Sequence, residues 1–262
     1  MLVRFAAHQA AIIAAVLFVL PGHEARQTER LMPPTVRLAP LTETSPSAPS
    51  ADSRPASLLS EKWRAVRERM SEERRLVALC RADPAICPSD AATFFMAIVD
   101  AARPRDGRAQ IGEINRSINL AVRPVPDDAR HGADVWTSPL ATLASGQGDC
   151  EDYAIAKLAA LWSVGIAESD TRLVIVHDAR TQEDHALAMV RLDGRWLALD
   201  NRRFTLIAAE HLSYRPLFAI GGDRVQVFGD SVSWAALDDL DGTGLSARRE
   251  TAAPGAGRSA AM

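Results

Sequence analysis

Gly148-Asp149-Cys150-Glu151-Asp152-Tyr153-Ala154 puts a cysteine where a turn gives way to a helical pattern, and Asp184-His185 and Leu199-Asp200-Asn201 follow downstream. Thiol, imidazole and carboxylate are the parts of a nucleophilic site. The imidazole takes the thiol proton, the carboxylate fixes the imidazole tautomer and stabilises its protonated form, and the thiolate attacks a carbonyl. The spacing of the last two is informative. Asp193-Gly194 is a strong signal for a two-residue hairpin turn, which makes Leu192 face Arg195 and, further along the ladder, Leu187 face Asp200. His185 then shares a face with Leu187 and becomes a diagonal neighbour of Asp200. A helix starting near Cys150 has only to pack against that face. Its amino-terminal dipole would lower the thiol pKa, and its N–H groups would serve an oxyanion. Singly, each residue has a plainer use as a small buried cysteine, a strand histidine or a turn aspartate. Their joint placement favours the chemistry.

The acidic neighbours of Cys150 pull in two directions. Asp149 suits a helix N-cap, and Glu151 and Asp152 suit the first turn. The same carboxylates disfavour a thiolate. A bound cation would reverse that field, and oxygen ligands so spaced suit calcium, so on the residues alone capping and calcium binding are both open.

Helices precede strands along the chain. Leu59, Trp63, Val66 and Met70 recur at helical spacing, followed by Leu76, Val77 and Leu79. Phe94, Phe95, Ile98 and Val99 mark a second helical stretch and Ile111, Ile114 and Ile118 a third. The pattern from Cys150 through Trp162 stops at Gly165. Strands are predicted at Leu173 to Val176, His185 to Leu192, Arg195 to Asp200, Phe204 to Ala208, Leu217 to Ile220 and Val225 to Phe228. This order predicts an α+β fold, a helical amino-terminal part followed by an antiparallel sheet. In a chain of 262 residues with net charge −3 and no basic stripe, one domain with tails is expected and nucleic acid is an unsuitable partner.

The first residues read as an export signal. Arg4 precedes an apolar run from Ala10 to Leu20, and Pro21 and Gly22 break it. The run suits a secretory signal over residues 1–25. His23, where a small residue is expected ahead of Ala25, leaves an uncleaved anchor as the other reading. Residues 26–57, rich in Pro, Ser, Thr and Ala, read as a disordered tether, residues 58–240 as the folded domain and 241–262 as a disordered tail. Cys80 and Cys87 are close enough to pair in an oxidising compartment, which leaves Cys150 as the unpaired thiol.

Trp136-Thr137-Ser138-Pro139-Leu140, the stretch Gly146 to Lys157, Glu183-Asp184-His185-Ala186 and Leu199-Asp200-Asn201-Arg202 together resemble the bacterial transglutaminase-like cysteine peptidase family. Its best-understood branch comprises the periplasmic LapG-type proteases that release large surface adhesins. The resemblance implies a papain- or transglutaminase-like core, with Cys150 as nucleophile, His185 as general base and acid, and Asp200 as the orienting carboxylate. It implies calcium held by Asp149, Glu151 and Asp152. In the mechanism these residues would run, the Cys150 backbone N–H serves the oxyanion, and the Trp136 indole either joins it or is a buried core aromatic. The resemblance also implies a periplasmic protein substrate, such as an adhesin governing attachment and biofilm, and a membrane receptor for cyclic di-GMP as regulator. Ala141 stands where the family carries an acidic residue. Two rival functions share these residues: acyl transfer to an amine through the same thioester, and a non-catalytic, calcium-dependent binding module.

Overall fold

The computed structural model describes residues 54–127, 134–229 and 234–240. The signal expected at 1–25, the tether as far as residue 53 and the tail from 241 lie outside the described residues. Helices α1 (Arg54–Ala82), α2 (Asp90–Ala102), α3 (Gly107–Ala121), α4 (Pro139–Ser145) and α5 (Cys150–Ser163) come first. Two short strands, β1 (Arg123–Pro124) and β2 (Gln147–Gly148), lie among them. Then come β3 (Thr171–Asp178), β4 (Glu183–Leu192), β5 (Arg195–Leu199), β6 (Ile207–Ala208), β7 (Arg215–Gly221) and β8 (Arg224–Val227). The last six form one antiparallel sheet in the order β6-β5-β4-β3-β7-β8. The fold is α+β, as the order of periodicities predicts.

α1 joins the two apolar groups expected at its ends into one helix of 29 residues. Its described residues begin at Arg54, so residues 54–57, expected in the tether, are helical. Trp63, Val66 and Met70 are buried, and the Trp63 indole donates to the Gly222 carbonyl at 2.8 Å, which pins α1 to the β7–β8 turn. Cys80 and Cys87 form a disulfide that closes the turn between α1 and α2.

The sheet buries both faces. Ala186, Ala188 and Val190 of β4 share the main core with Ile155 and Leu158 of α5 and with the other helices. Leu187 and Met189 join Val174, Val176, Trp196 and Tyr214 in a second cluster on the opposite face. α5 therefore lies on the alanine face, and the expectation that it packs against the face of Leu187 and His185 is corrected. Alternation over a strand buried on both sides does not say which face takes the helix. The small side chains of Ala186 and Ala188 let a backbone cylinder approach closely.

Two further elements differ from the pattern. The strand expected from Phe204 shrinks to Ile207–Ala208, and Phe204 is exposed. The carbonyls of Arg203 and Phe204 are instead taken by Asn115 Nδ2 of α3 at 2.9 and 3.1 Å, which holds this stretch as a loop. The parallel pair β1–β2, too short to carry a pattern, clamps the approach to Cys150: the Arg123 and Val125 N–H groups donate to Gly146 and Gly148 at 2.9 and 3.0 Å.

Gly148 is required by closeness, since a Cβ there would sit 2.8 Å from Asp152 Cβ, an atom fixed to the α5 backbone. Gly148→Ala is expected to destabilise the fold by about 1–3 kcal/mol, the usual range for forced overpacking. A chemical denaturation curve checks this, and an unchanged midpoint would contradict it.

Candidate active site

The turn at Asp193-Gly194 has positive φ at both residues, 51° and 74°, as a two-residue hairpin turn demands. Leu192 pairs with Arg195 and Ala188 with Leu199, which is the register read from the sequence. β5 ends there, and Asp200 continues one step beyond it. His185 Nε2 lies 2.9 Å from Asp200 Oδ1, with both side chains almost wholly buried. A carboxylate can only accept, so Nε2 carries the proton and Nδ1 is the basic nitrogen. Nδ1 is buried and has no hydrogen-bond partner among the described residues.

Asp200 is held from several sides. Its Oδ1 also accepts the Arg202 N–H at 2.9 Å, and its Oδ2 accepts the Tyr214 hydroxyl at 3.1 Å. Its carbonyl accepts from Asn119 Nδ2 of α3 at 3.0 Å. Burial on its own would raise this carboxyl, but the His185 contact, the Arg202 N–H and the Tyr214 hydroxyl outweigh it and hold the group below the usual carboxylate range. The Tyr214 ring meets the imidazole edge to face, with centroids 5.8 Å apart. Beneath lies Lys157, whose Nζ donates to the Leu199 carbonyl at 3.3 Å. Burial lowers this ammonium to about 7, against the opposing pull of Asp200.

Cys150 is the first residue of α5, and Asp149 occupies the N-cap position without a side-chain capping bond. Cys150 and His185 line one cleft of about 390 Å³, together with Trp136, Glu151 and Asp184. The thiol donates to Glu151 Oε2 at 3.2 Å. Burial, and after it the Glu151 carboxylate, push the thiol well above its ordinary range. Of the two opposing influences expected at this thiol, the dipole and the carboxylates, the carboxylates prevail, with burial as the larger cause. A helix end contributes about half a charge, whereas a desolvated thiol beside a carboxylate faces two larger opposing effects.

The acidic cluster also differs from its expected membership. Carboxylate oxygens of Asp127, Asp149 and Glu151 lie within 4.8 Å of one another. Asp152 is not among them, because its Oδ1 accepts the Thr137 N–H at 2.8 Å and so ties the Trp136 loop to α5. Burial, then the charge of Asp149, push Glu151 up to about 9. Trp136 is buried at the cleft wall, with Lys62 Nζ 5.6 Å from its ring centroid and paired to Asp134 at 2.5 Å. Glu73 of α1 accepts from Ser138 Oγ at 2.5 Å and from the Leu140 N–H at 3.0 Å, so a remote carboxylate caps α4 and fixes the other end of this loop.

Asp127, Tyr214, Lys157, Glu73 and the α3 pair Asn115 and Asn119 escaped the sequence reading. Only the asparagines carried a signal, two amides one helical turn apart on a single face.

The sequence matches the family model of the bacterial transglutaminase-like cysteine proteinases (BTLCP) over residues 69–240. No curated protein matches it. Among solved structures, Legionella pneumophila LapG is 20% identical with a TM-score of 0.49, the match covering 64% of this chain and 96% of that one. Calcium-bound LapG of the same organism is 20% identical with a TM-score of 0.47, over 65% and 99%. A structure described as a TGase is 12% identical with a TM-score of 0.32, over 47% and 36%.

A carboxyl whose folded pKa is raised contributes stability that is complete below its unfolded value and is lost as pH rises through the folded one. For Glu151 that window runs from 4.5 to about 9. In cation-free protein, Glu151→Gln is expected to flatten the decline of melting temperature across this window. A slope equal to that of the unsubstituted protein would contradict the assignment.

Proposed function

The chain belongs to the bacterial transglutaminase-like cysteine proteinase family and is a cysteine peptidase; from that premise we propose that it hydrolyses peptide bonds through Cys150, His185 and Asp200. The observation that carries the reading is the buried His185–Asp200 pair, whose remaining imidazole nitrogen is without a partner in the cleft that Cys150 lines.

His185 Nδ1 takes the thiol proton while Asp200 keeps Nε2–H in place and stabilises the imidazolium. The thiolate attacks the scissile carbonyl, and the Cys150 N–H, left without an acceptor in its own helix, stabilises the oxyanion with the Trp136 indole beside it. His185 returns the proton to the leaving amine. It then takes a proton from water, and the resulting hydroxide cleaves the thioester and restores the thiol.

Asp127, Asp149 and Glu151 fit a hard cation. Three carboxylates crowded so closely repel one another, burial and then the charge of Asp149 raise Glu151, and oxygen-only ligands suit calcium. Bound there, the ion would neutralise the negative field that disfavours the Cys150 thiolate. One solved structure of Legionella pneumophila LapG is calcium-bound.

The biological setting we propose is the periplasm, on the strength of the apolar run after Arg4 and the disulfide Cys80–Cys87. The substrate class is a protein, with the amino-terminal region of a large surface adhesin as the instance that the motif resemblance points to. Control by a membrane receptor for cyclic di-GMP belongs to the same proposal.

Mass spectrometry of new peptide termini, with calcium or with a chelator and with or without a primary amine, tests the reaction. Hydrolysed products are expected with calcium, none from Cys150→Ala, and roughly 10³–10⁴-fold slower turnover from Asp200→Asn, the scale set by a lost tautomer-fixing carboxylate. Amine-linked products alone would replace hydrolysis by acyl transfer. Full cleavage by Cys150→Ala would overturn the mechanism.

A further inference from the structure

Four strands bring Ala186, Ile175, Phe218 and Val227 into one row. Ile175 pairs with both Ala186 and Phe218, and Phe218 pairs with Val227. Opposed residues of antiparallel strands share a face, so the row crosses the sheet at right angles to the strands. It lies on the face that the helices cover elsewhere, since Ala186 and Ile175 belong with the main core. Among the described residues the cover stops here. Ile175 and Phe218 are half-buried and Val227 is 52% exposed, while Leu58 at the start of α1 is 60% exposed. Leu58, Leu59, Ile175 and Phe218 line the same cleft as Cys150 and His185.

The row begins at the nucleophile's side of the sheet, because Ala186 lines the same cleft as Cys150. What lies along it is therefore continuous with the acyl group that Cys150 would carry. Adjacent strands are about 4.8 Å apart, which puts Phe218 roughly 10 Å from Ala186, and an extended peptide advances about 3.3 Å per residue. A side chain two or three residues from the scissile bond reaches Ile175 and Phe218. An apolar strip beside the Cys150 thiol, open among the described residues on a face that the helices cover elsewhere, has the character of a binding surface.

Building on the proposed peptidase reading, we propose that Leu58, Ile175 and Phe218 form an apolar subsite, selecting peptide substrates with a branched aliphatic or aromatic side chain two or three residues from the cleaved bond. The subsite sets specificity through binding and leaves the chemical step to Cys150 and His185. Its effect falls on KM and not on kcat.

The test is a randomised peptide library offered in two ways: captured by the full chain carrying Cys150→Ala, and cleaved by the unsubstituted full chain. Captured peptides are expected to carry Leu, Ile, Met or Phe at one fixed position. Phe218→Glu is expected to lower capture of those peptides by about tenfold or more, while peptides with Ala there are unaffected. Leu58→Glu, at a solvent-facing position that puts the fold at little risk, is expected to act in the same direction. Unselective capture, or selection unchanged in both glutamate variants, overturns the subsite. Selective capture that both variants abolish, with no cleavage by the unsubstituted chain, upholds the subsite and overturns the peptidase mechanism instead.

Discussion

The two-residue turn at Asp193-Gly194 fixes the register of β4 against β5, and through it the distance between an imidazole and a carboxylate. The ladder ends at Ala188 and Leu199, so Asp200 leaves the sheet where His185 stands beside it. Had the register slipped by one residue, His185 and Asp200 would point to opposite faces. The surroundings reinforce that end of the sheet. Asn115 and Asn119 hold the loop after β5 by its carbonyls, and Tyr214 holds the second carboxylate oxygen. A carboxylate with several donors and little solvent stays ionised and does not wander, which is the condition for fixing a tautomer.

The other half of the site is built against its own chemistry. α5 presents Cys150 at its first residue, where backbone N–H groups are available, but burial and the Glu151 carboxylate oppose the thiolate. Glu151 is in turn held up by burial and Asp149. Charge of one sign, buried and crowded, is costly unless something of the opposite sign completes it. Lys157 is the basic group in the core beneath Asp200, and burial weakens its own charge. A hard cation among Asp127, Asp149 and Glu151 would supply the opposite charge.

Much of the fold was legible because its signals are local. Helical spacing marked the buried faces of the first three helices, apart from Leu79 and Phe94, which are exposed, and the turn dipeptide gave the hairpin register that brings His185 beside Asp200. What escaped is non-local. Asp127 joins the acidic cluster by tertiary contact, whereas Asp152, adjacent in sequence, is drawn away by the Thr137 N–H. The face on which α5 packs was misread because β4 is apolar on both sides, and the small size of Ala186 and Ala188 decided it. The strand at Phe204 was lost to side-chain amides of a helix far off in sequence. The sequence carried both the helix dipole and the opposing carboxylates at Cys150, but not the depth of burial, which adds to the carboxylates and outweighs the dipole.

In the mechanism proposed, Cys150 becomes a thiolate nucleophile through His185 once the acidic cluster holds a cation. The alkylation rate of Cys150 against pH in the full chain, with calcium and with a chelator, tests it without knowledge of the substrate. With calcium, the half-maximal rate should fall well below the free-cysteine value of about 8.5 and return upward in His185→Ala. With the chelator it should lie above that value. Slow alkylation with a raised midpoint under both conditions would contradict the account.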